Sequence, residues 1–228
     1  MKLKNLVALC GSTVLPALSA ATALAAGPAV SVRVEGLTRT LKLPTLVHTR
    51  RGSITRYGAP KGSCPARSAM GALDAATRHR WKGTWSKSFD DYEITSILGE
   101  THSFSSKNYW EIFVGDVAAS TGACEIKVHA GEQLLFAAVP LTGTEYPLGL
   151  SAAHSVVGGK SFRVKVVWFD AAGKARPLAG ARVTGSGIRA VTNKNGIATV
   201  TARHRGTLVL HADRKGYIRA APVAVLVA

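Results

Sequence analysis

The chain has 228 residues and carries 29 Lys and Arg against 13 Asp and Glu, a formal net charge of +16. That length is enough for two small domains with real cores. Beyond the first two dozen residues no apolar run approaches bilayer length, which argues against a membrane-spanning mature chain.

The first residues read as an export signal. Lys2 and Lys4 form a positive start, Leu6 to Leu18 is apolar, and Ala23-Leu24-Ala25 is a small-x-small cleavage site. The expectation is a signal peptide over 1–25 and a mature protein that is secreted or held at the cell surface. Cys64 and Cys124 then remain, and an even pair in an oxidising compartment predicts a disulfide. Closing a loop of about sixty residues is worth on the order of 4 kcal/mol in the chain-entropy model. The competing reading pairs Cys124 as a nucleophile with His129 as its base.

Val30 to Glu35 alternates apolar and polar and predicts a first strand; Leu46 to Thr49 with Ser53 to Thr55 predicts a second, interrupted one. Ser63-Cys64-Pro65 reads as a helix start, followed by Ala66, Ala69, Met70, Leu73 and Ala76 at helical spacing. Trp81 to Trp85 reads as an irregular connection, Tyr92 to Ile97 as a strand, and Gly99 to Lys107 as a polar loop. Tyr109 to Val114, Glu125 to Val128 and Gln133 to Val139 complete this half as strands, with turns at Gly115-Asp116 and Gly131.

Eight aromatic residues fall between Trp81 and Phe113. Two readings stay open for them, a core that covers the sheet or the lining of a ligand pocket. For the pocket the candidate binding residues are Tyr92, Phe104, Tyr109, Trp110 and Phe113.

Trp110, Val114-Gly115-Asp116, Gly122, Ile126 to Val128, Gly131-Glu132 and Leu134 to Phe136 occupy a recurring order of strand, turn, loop, strand and turn. In that order the stretch from about Val30 to Val139 resembles the carboxy-terminal domain of transcobalamin and intrinsic factor and its bacterial relatives. Gly115 stands where that family has asparagine. The resemblance implies a soluble-ligand-binding β-grasp domain over 26–140, one helix on a mixed sheet. The helical partner domain of the corrinoid site is not read in this sequence, so cobalamin is not carried over as the ligand.

Residues 141–160 read as a linker; the stretch Pro140 to Gly159 holds two prolines and four glycines. From Ser161 the chain becomes short strands separated by Gly and Asn turns, the pattern of a small antiparallel β-sandwich over 161–228. Asn195-Gly196 reads as a hairpin turn between Val191-Thr192 and Ile197 to Val200. Pro177-x-x-Gly180-Ala181-x-Val183, Thr192-Asn193-x-x-Gly196-x-Ala198-x-Val200 and Lys215-Gly216-Tyr217 resemble carboxypeptidase-regulatory-like and bacterial Ig-like modules of exported proteins. That resemblance implies a spacer or adhesive unit without catalytic residues.

Charge is unevenly shared. Residues 151–228 hold thirteen Lys and Arg against Asp170 and Asp213. A module this basic attracts polyanions such as an anionic wall polymer, or is simply kept soluble. Specific nucleic-acid binding is not expected, because no reader motif appears and stacking aromatics are missing beside the basic residues. Within the first half, residues 83–150 hold three basic residues and nine acids.

Other motifs do not assemble chemistry. Gly185-Ser186-Gly187-Ile188-Arg189-Ala190 matches a dinucleotide fingerprint, but a hairpin pattern follows it where a helix is required. The seven histidines show no metal-ligand spacing, and there is no G-x-S-x-G. The expected function is therefore an exported, non-enzymatic binding protein without a cofactor, taking a small-molecule or glycan ligand in front and attaching to the envelope behind. The alternative is a structural or adhesive surface spacer without a pocket, which a buried Trp110 would favour.

Overall fold

The computed structural model describes residues 27–55 and 63–228. The expected signal peptide lies outside the described residues. In the N-terminal half the elements are β1 (Ala29–Glu35), β2 (Thr40–His48), β3 (Ser53–Ile54), β4 (Cys64–Pro65), α1 (Ala69–Thr77), β5 (Trp81–Ser86), β6 (Asp91–Ile97), β7 (Glu100–Thr101), β8 (Asn108–Val114), β9 (Val117–Ala118) and β10 (Gln133–Pro140). The C-terminal half follows with β11 (Tyr146–Ala152), β12 (Ser155–Val156), β13 (Ser161–Phe169), β14 (Ala175–Pro177), β15 (Arg182–Gly185), β16 (Ile188–Val191), β17 (Ile197–Thr201), β18 (Gly206–Asp213), β19 (Tyr217–Ile218) and β20 (Val223–Val227). The protein is mostly β, with one helix among the described residues.

The first sheet runs β2-β1-β10-β8-β9. It is mixed: β1 and β10 are parallel from Ser31↔Gln133 to Glu35↔Ala137, and β10 and β8 are antiparallel. Period-two alternation gives this sheet two apolar faces. Val30, Val32, Val34, Leu134, Phe136 and Trp110 pack in one core with α1, while Phe113, Leu135, Ala137 and Val139 form another. Pro44 is tolerated inside β2 because β2 is an edge strand.

Four local expectations are corrected here. Ser63 to Pro65 does not start the helix: Cys64 pairs with Ile54 in a short ladder, and the cap is Ser68, whose Oγ accepts the Gly71 N–H at 3.3 Å. Ser53-Ile54 belongs to that ladder and is no continuation of β2. Glu125 to Val128 is not a strand, because its main chain satisfies the open end of α1. The Ala69 N–H donates to the Ile126 carbonyl at 2.9 Å and the Met70 N–H to the Ala123 carbonyl at 3.0 Å. Trp81 to Trp85 is no irregular connection but the strand β5, paired with β6 from Trp81↔Ile97 to Ser86↔Asp91 with one register shift between Lys82 and Gly83. The expected disulfide is present between Cys64 and Cys124, tying the segment before α1 to the loop that caps it.

In the C-terminal half one sheet runs β14-β13-β11-β19, with β17 also on β13, and the other runs β12-β20-β18-β15-β16. Leu148, Val164, Val166, Val183, Leu210 and Val225 fill the space between them. The 141–160 stretch read as a linker contains β11 and β12, which pair with β13 and β20. Asn195-Gly196 is not a hairpin turn: β16 pairs with β15 and β17 with β13, so the chain changes sheet there. The Asn193 side chain builds that corner by accepting the N–H groups of Asn195 and Ile197.

The two halves meet along a buried seam. Ile218 packs against Phe113, Leu135, Ala137 and Val139. Beside it Glu35, 1 % exposed, accepts from Arg33 Nη1 at 3.3 Å, Thr40 Oγ1 at 3.0 Å and Arg219 Nε at 3.1 Å. Arg219 also donates to the carbonyls of Gly36 and Leu37, and Arg33 donates to the Arg219 carbonyl at 2.7 Å.

Candidate functional site: an aromatic, carboxylate-lined groove

β6 pairs along its length with β5, but on its other edge β7 covers only Ser96 and Ile97. β8 pairs along its length with β10, but β9 covers only Phe113 and Val114. Among the described residues neither remaining edge has a strand partner. Between them and the loop 119–125 lies a groove of about 500 Å³. That volume is within the range of small-ligand sites, about 300–1,000 Å³.

Five rings line it: Phe89, Tyr92, Phe104, Tyr109 and Trp110. Tyr92 is buried and held edge-on by Trp81 at 5.3 Å and Trp85 at 4.8 Å. Phe104 and Tyr109 stack at 4.8 Å with 26° between their planes. Phe89 and Phe104 are 75 % and 58 % exposed, so both offer ring surface to solvent. Trp110 is 5 % exposed, lies edge-on to His102 at 5.2 Å, and among the described residues its indole N–H has no acceptor. Buried indole N–H groups ordinarily find one.

Four carboxylates, Asp91, Glu93, Glu111 and Glu125, also line the groove, and no Lys or Arg does. Asp91 is a structural anchor as well. Its Oδ1 accepts the Tyr92 N–H at 2.6 Å and its Oδ2 accepts the Cys124 N–H at 2.9 Å. Burial pushes its pKa up, against the pull of those N–H bonds. A Cβ on Gly122 would come within 2.0 Å of Asp91 Oδ2, so glycine is what lets the disulfide loop close over this carboxylate. Glu93 Oε1 accepts the Phe104 N–H at 3.1 Å, and Tyr109 donates its hydroxyl to Glu111. Burial and then Glu111 push the Tyr109 pKa up to about 12.

The structure thus brings together Tyr92, Phe104, Tyr109 and Trp110. It does not bring Phe113, which is on the opposite face of the sheet, 3 % exposed in the seam against Ile218. By strand parity Phe113 leaves β8 on the face opposite Trp110, as Tyr109 does, but Phe113 lies where β9 covers the strand, whereas Tyr109 lies on the uncovered stretch and also reaches the groove. Reading from the sequence missed Glu111 and Glu125 as lining residues. Their only signal was the acidic excess over 83–150, which does not say which carboxylates converge. Cys124 is committed to the disulfide, so the cysteine–histidine pair with His129 has no thiol.

Of the recesses along the seam, one of about 400 Å³ resembles the groove: Tyr109, Phe113 and Tyr146 line it with Glu111, Asp116, Glu145 and Asp170, and among the described residues no Lys or Arg does. Two others differ in kind. One of about 310 Å³ holds Arg33 and Asp116, another of about 500 Å³ holds Arg182, Asp213 and Arg219, and each has one aromatic ring. Among the described residues no group of three or more His, Cys, Asp or Glu could hold a metal ion. No helix among them is long and apolar enough to cross a membrane.

No family model matches the chain, and no curated protein matches it. A solved structure from Ruminococcus gnavus ATCC 29149, described as a candidate metal-binding protein, aligns with 50 % of this chain and 97 % of its own. The identity is 16 % and the TM-score 0.35, a likeness too distant to carry a function.

Proposed function

We propose that the protein is an exported, non-enzymatic binding protein whose N-terminal half holds a ligand in the groove between β6 and β8. The observation that carries this reading is the convergence of Tyr92, Phe104, Tyr109 and Trp110 on one open groove of about 500 Å³. We read this half as β-grasp-like, supported by the parallel β1–β10 pair with one helix packed on the sheet, and the C-terminal half as a β-sandwich. The sandwich attaches to an anionic envelope polymer. Exposed Arg163, Lys165, Arg189, Lys194, Arg203 and Arg205 support that role.

Tryptophan fluorescence of the chain from residue 26 onward, titrated with short glycans and wall fragments, tests the groove. A saturable response that weakens in Phe104→Ala and Phe89→Ala is expected. Both rings are exposed, so these variants are expected to keep the fold. No response to any ligand would refute the reading. Retention on wall polymer that is lost at high salt is the expected behaviour of the basic half. The alternative, a spacer without a ligand, is favoured by the burial of Trp110. It predicts no saturable response and no effect of either phenylalanine variant.

A further inference from the structure

Most carboxylates of this chain outside the groove are spoken for. Glu35 meets Arg33 and Arg219, Asp74 meets Arg50 and His79, Glu100 meets His102, Asp170 meets Arg176, and Asp213 meets Arg182. Among the described residues the four in the groove are without such a partner, as are Asp90, Asp116, Glu132 and Glu145 outside it. Among the described residues none of Asp91, Glu93, Glu111 and Glu125 has a cationic partner, although the chain carries 29 Lys and Arg. Their partners are neutral donors: main-chain N–H groups for Asp91 and Glu93, a phenol for Glu111.

Anions crowded without a counter-charge destabilise one another, and a cation entering the groove relieves that repulsion. Exposed Phe89 and Phe104 supply ring faces at the rim, and aromatic faces attract organic cations. An independent observation points to a ligand in the same place. The Trp110 side chain, a groove-lining residue 5 % exposed, keeps an indole N–H without an acceptor among the described residues. Among the described residues no three of these carboxylates are grouped to hold a metal ion, and a bare metal would leave that donor unanswered.

Resting on the binding role proposed above, we propose that the groove recognises an organic cation: a ligand with an ammonium or guanidinium group for the carboxylates, together with a carbonyl or hydroxyl that accepts from Trp110. A lysine-bearing peptide and an amino sugar both present that chemistry.

The test uses the chain from residue 26 onward, calorimetry, and four probes: the blocked tripeptide acetyl-Gly-Lys-Gly-amide, glucosamine dimer, neutral maltotriose and acetyl-Gly-Glu-Gly-amide. At least one of the two cationic probes is expected to saturate the groove, and which one does so identifies the source of the cation. Its affinity should fall at least tenfold between low and high salt. It should also fall at least tenfold in the double variant Glu93→Gln, Glu111→Gln. The amide oxygen of glutamine still accepts from the Phe104 N–H and from the Tyr109 hydroxyl, so that variant keeps the local bonds and removes only charge. Saturation by maltotriose with none by either cation would overturn the cationic assignment and leave the binding role standing. Unchanged affinity in the double variant would overturn the carboxylate role in the same way. Silence from all four probes, with no response to glycans or wall fragments either, would bring down both proposals.

Discussion

Replacing Arg219 by alanine should loosen the seam between the two halves. Arg219 is the C-terminal half's contribution to Glu35, a carboxylate 1 % exposed, and it also donates to the Gly36 and Leu37 carbonyls. Removing one partner of a buried pair ordinarily costs about 3–5 kcal/mol, because the other charge is left stranded. Two features reduce that here. The Arg219 side chain is 25 % exposed, so water already shares it, and Glu35 keeps Arg33 and Thr40. The expected loss is about 2–3 kcal/mol, which for a chain of this size lowers Tm by about 4–12 °C. Calorimetry at pH 7 reads it directly, and separation of one transition into two would report that the halves have uncoupled.

Acidity adds a second check. Burial pushes the Glu35 pKa up, and Arg33 and then Arg219 pull it back. With the folded value above the unfolded one, this group's contribution is full below the unfolded value and is lost as pH rises through the folded value. Arg219 contributes most to Glu35 while that carboxyl is ionised. The gap between the variant and the wild type should therefore narrow as pH falls through the carboxylate range. A Tm within about 1 °C of wild type at pH 7, or a gap that widens on acidification, would refute this account of the seam.

Two further outcomes follow from the N-terminal half. Replacing Cys64 and Cys124 together by serine opens a loop of 60 residues and should cost about 4 kcal/mol by the chain-entropy model. Denaturant unfolding measures it, and a loss under 1 kcal/mol would mean the capping bonds from Ala123 and Ile126 hold the loop alone. Tyr109 should be the last tyrosine to ionise in an ultraviolet titration, at about 12, with Glu111→Gln bringing it back toward 10.0. Since its pKa is raised in the fold, its stabilising contribution is full below about pH 10 and is lost as pH rises through about 12. Ionisation of every tyrosine near 10 in the folded protein would contradict the part-buried Tyr109–Glu111 bond.

Much of the architecture was legible from alternation alone. β1, β6, β8, β10 and β13 fall where period-two runs of Val, Ile, Leu and aromatic residues sit, because a half-buried strand imposes that pattern whatever it pairs with. The misreadings came where a long-range partner outweighs local preference. Ser63-Cys64-Pro65 looks like a helix start, yet the disulfide and the Ile54 ladder hold it extended and leave the capping to Ser68. Glu125 to Val128 alternates like a strand, yet its Ile126 carbonyl goes to the open Ala69 N–H of α1, beside the Ala123 carbonyl on Met70. Asn195-Gly196 is a good turn in either setting, and only the pairing of β16 and β17 with different sheets decides that it is a corner.

The groove divides in the same way. Its aromatic character was readable from the crowding of rings between Trp81 and Phe113, and its acidic character from the charge imbalance over 83–150. Local sequence thus determined which residue types this half has to spend, and by strand parity which of them share a face. Tertiary structure alone decided that Asp91 and Glu93 on β6 converge with Glu111 on β8, and that Phe113 belongs to the seam with Ile218. Alternation is a property of one strand. Which strand edges stay open, and which distant carboxylates face them, depends on how all the sheets pack together.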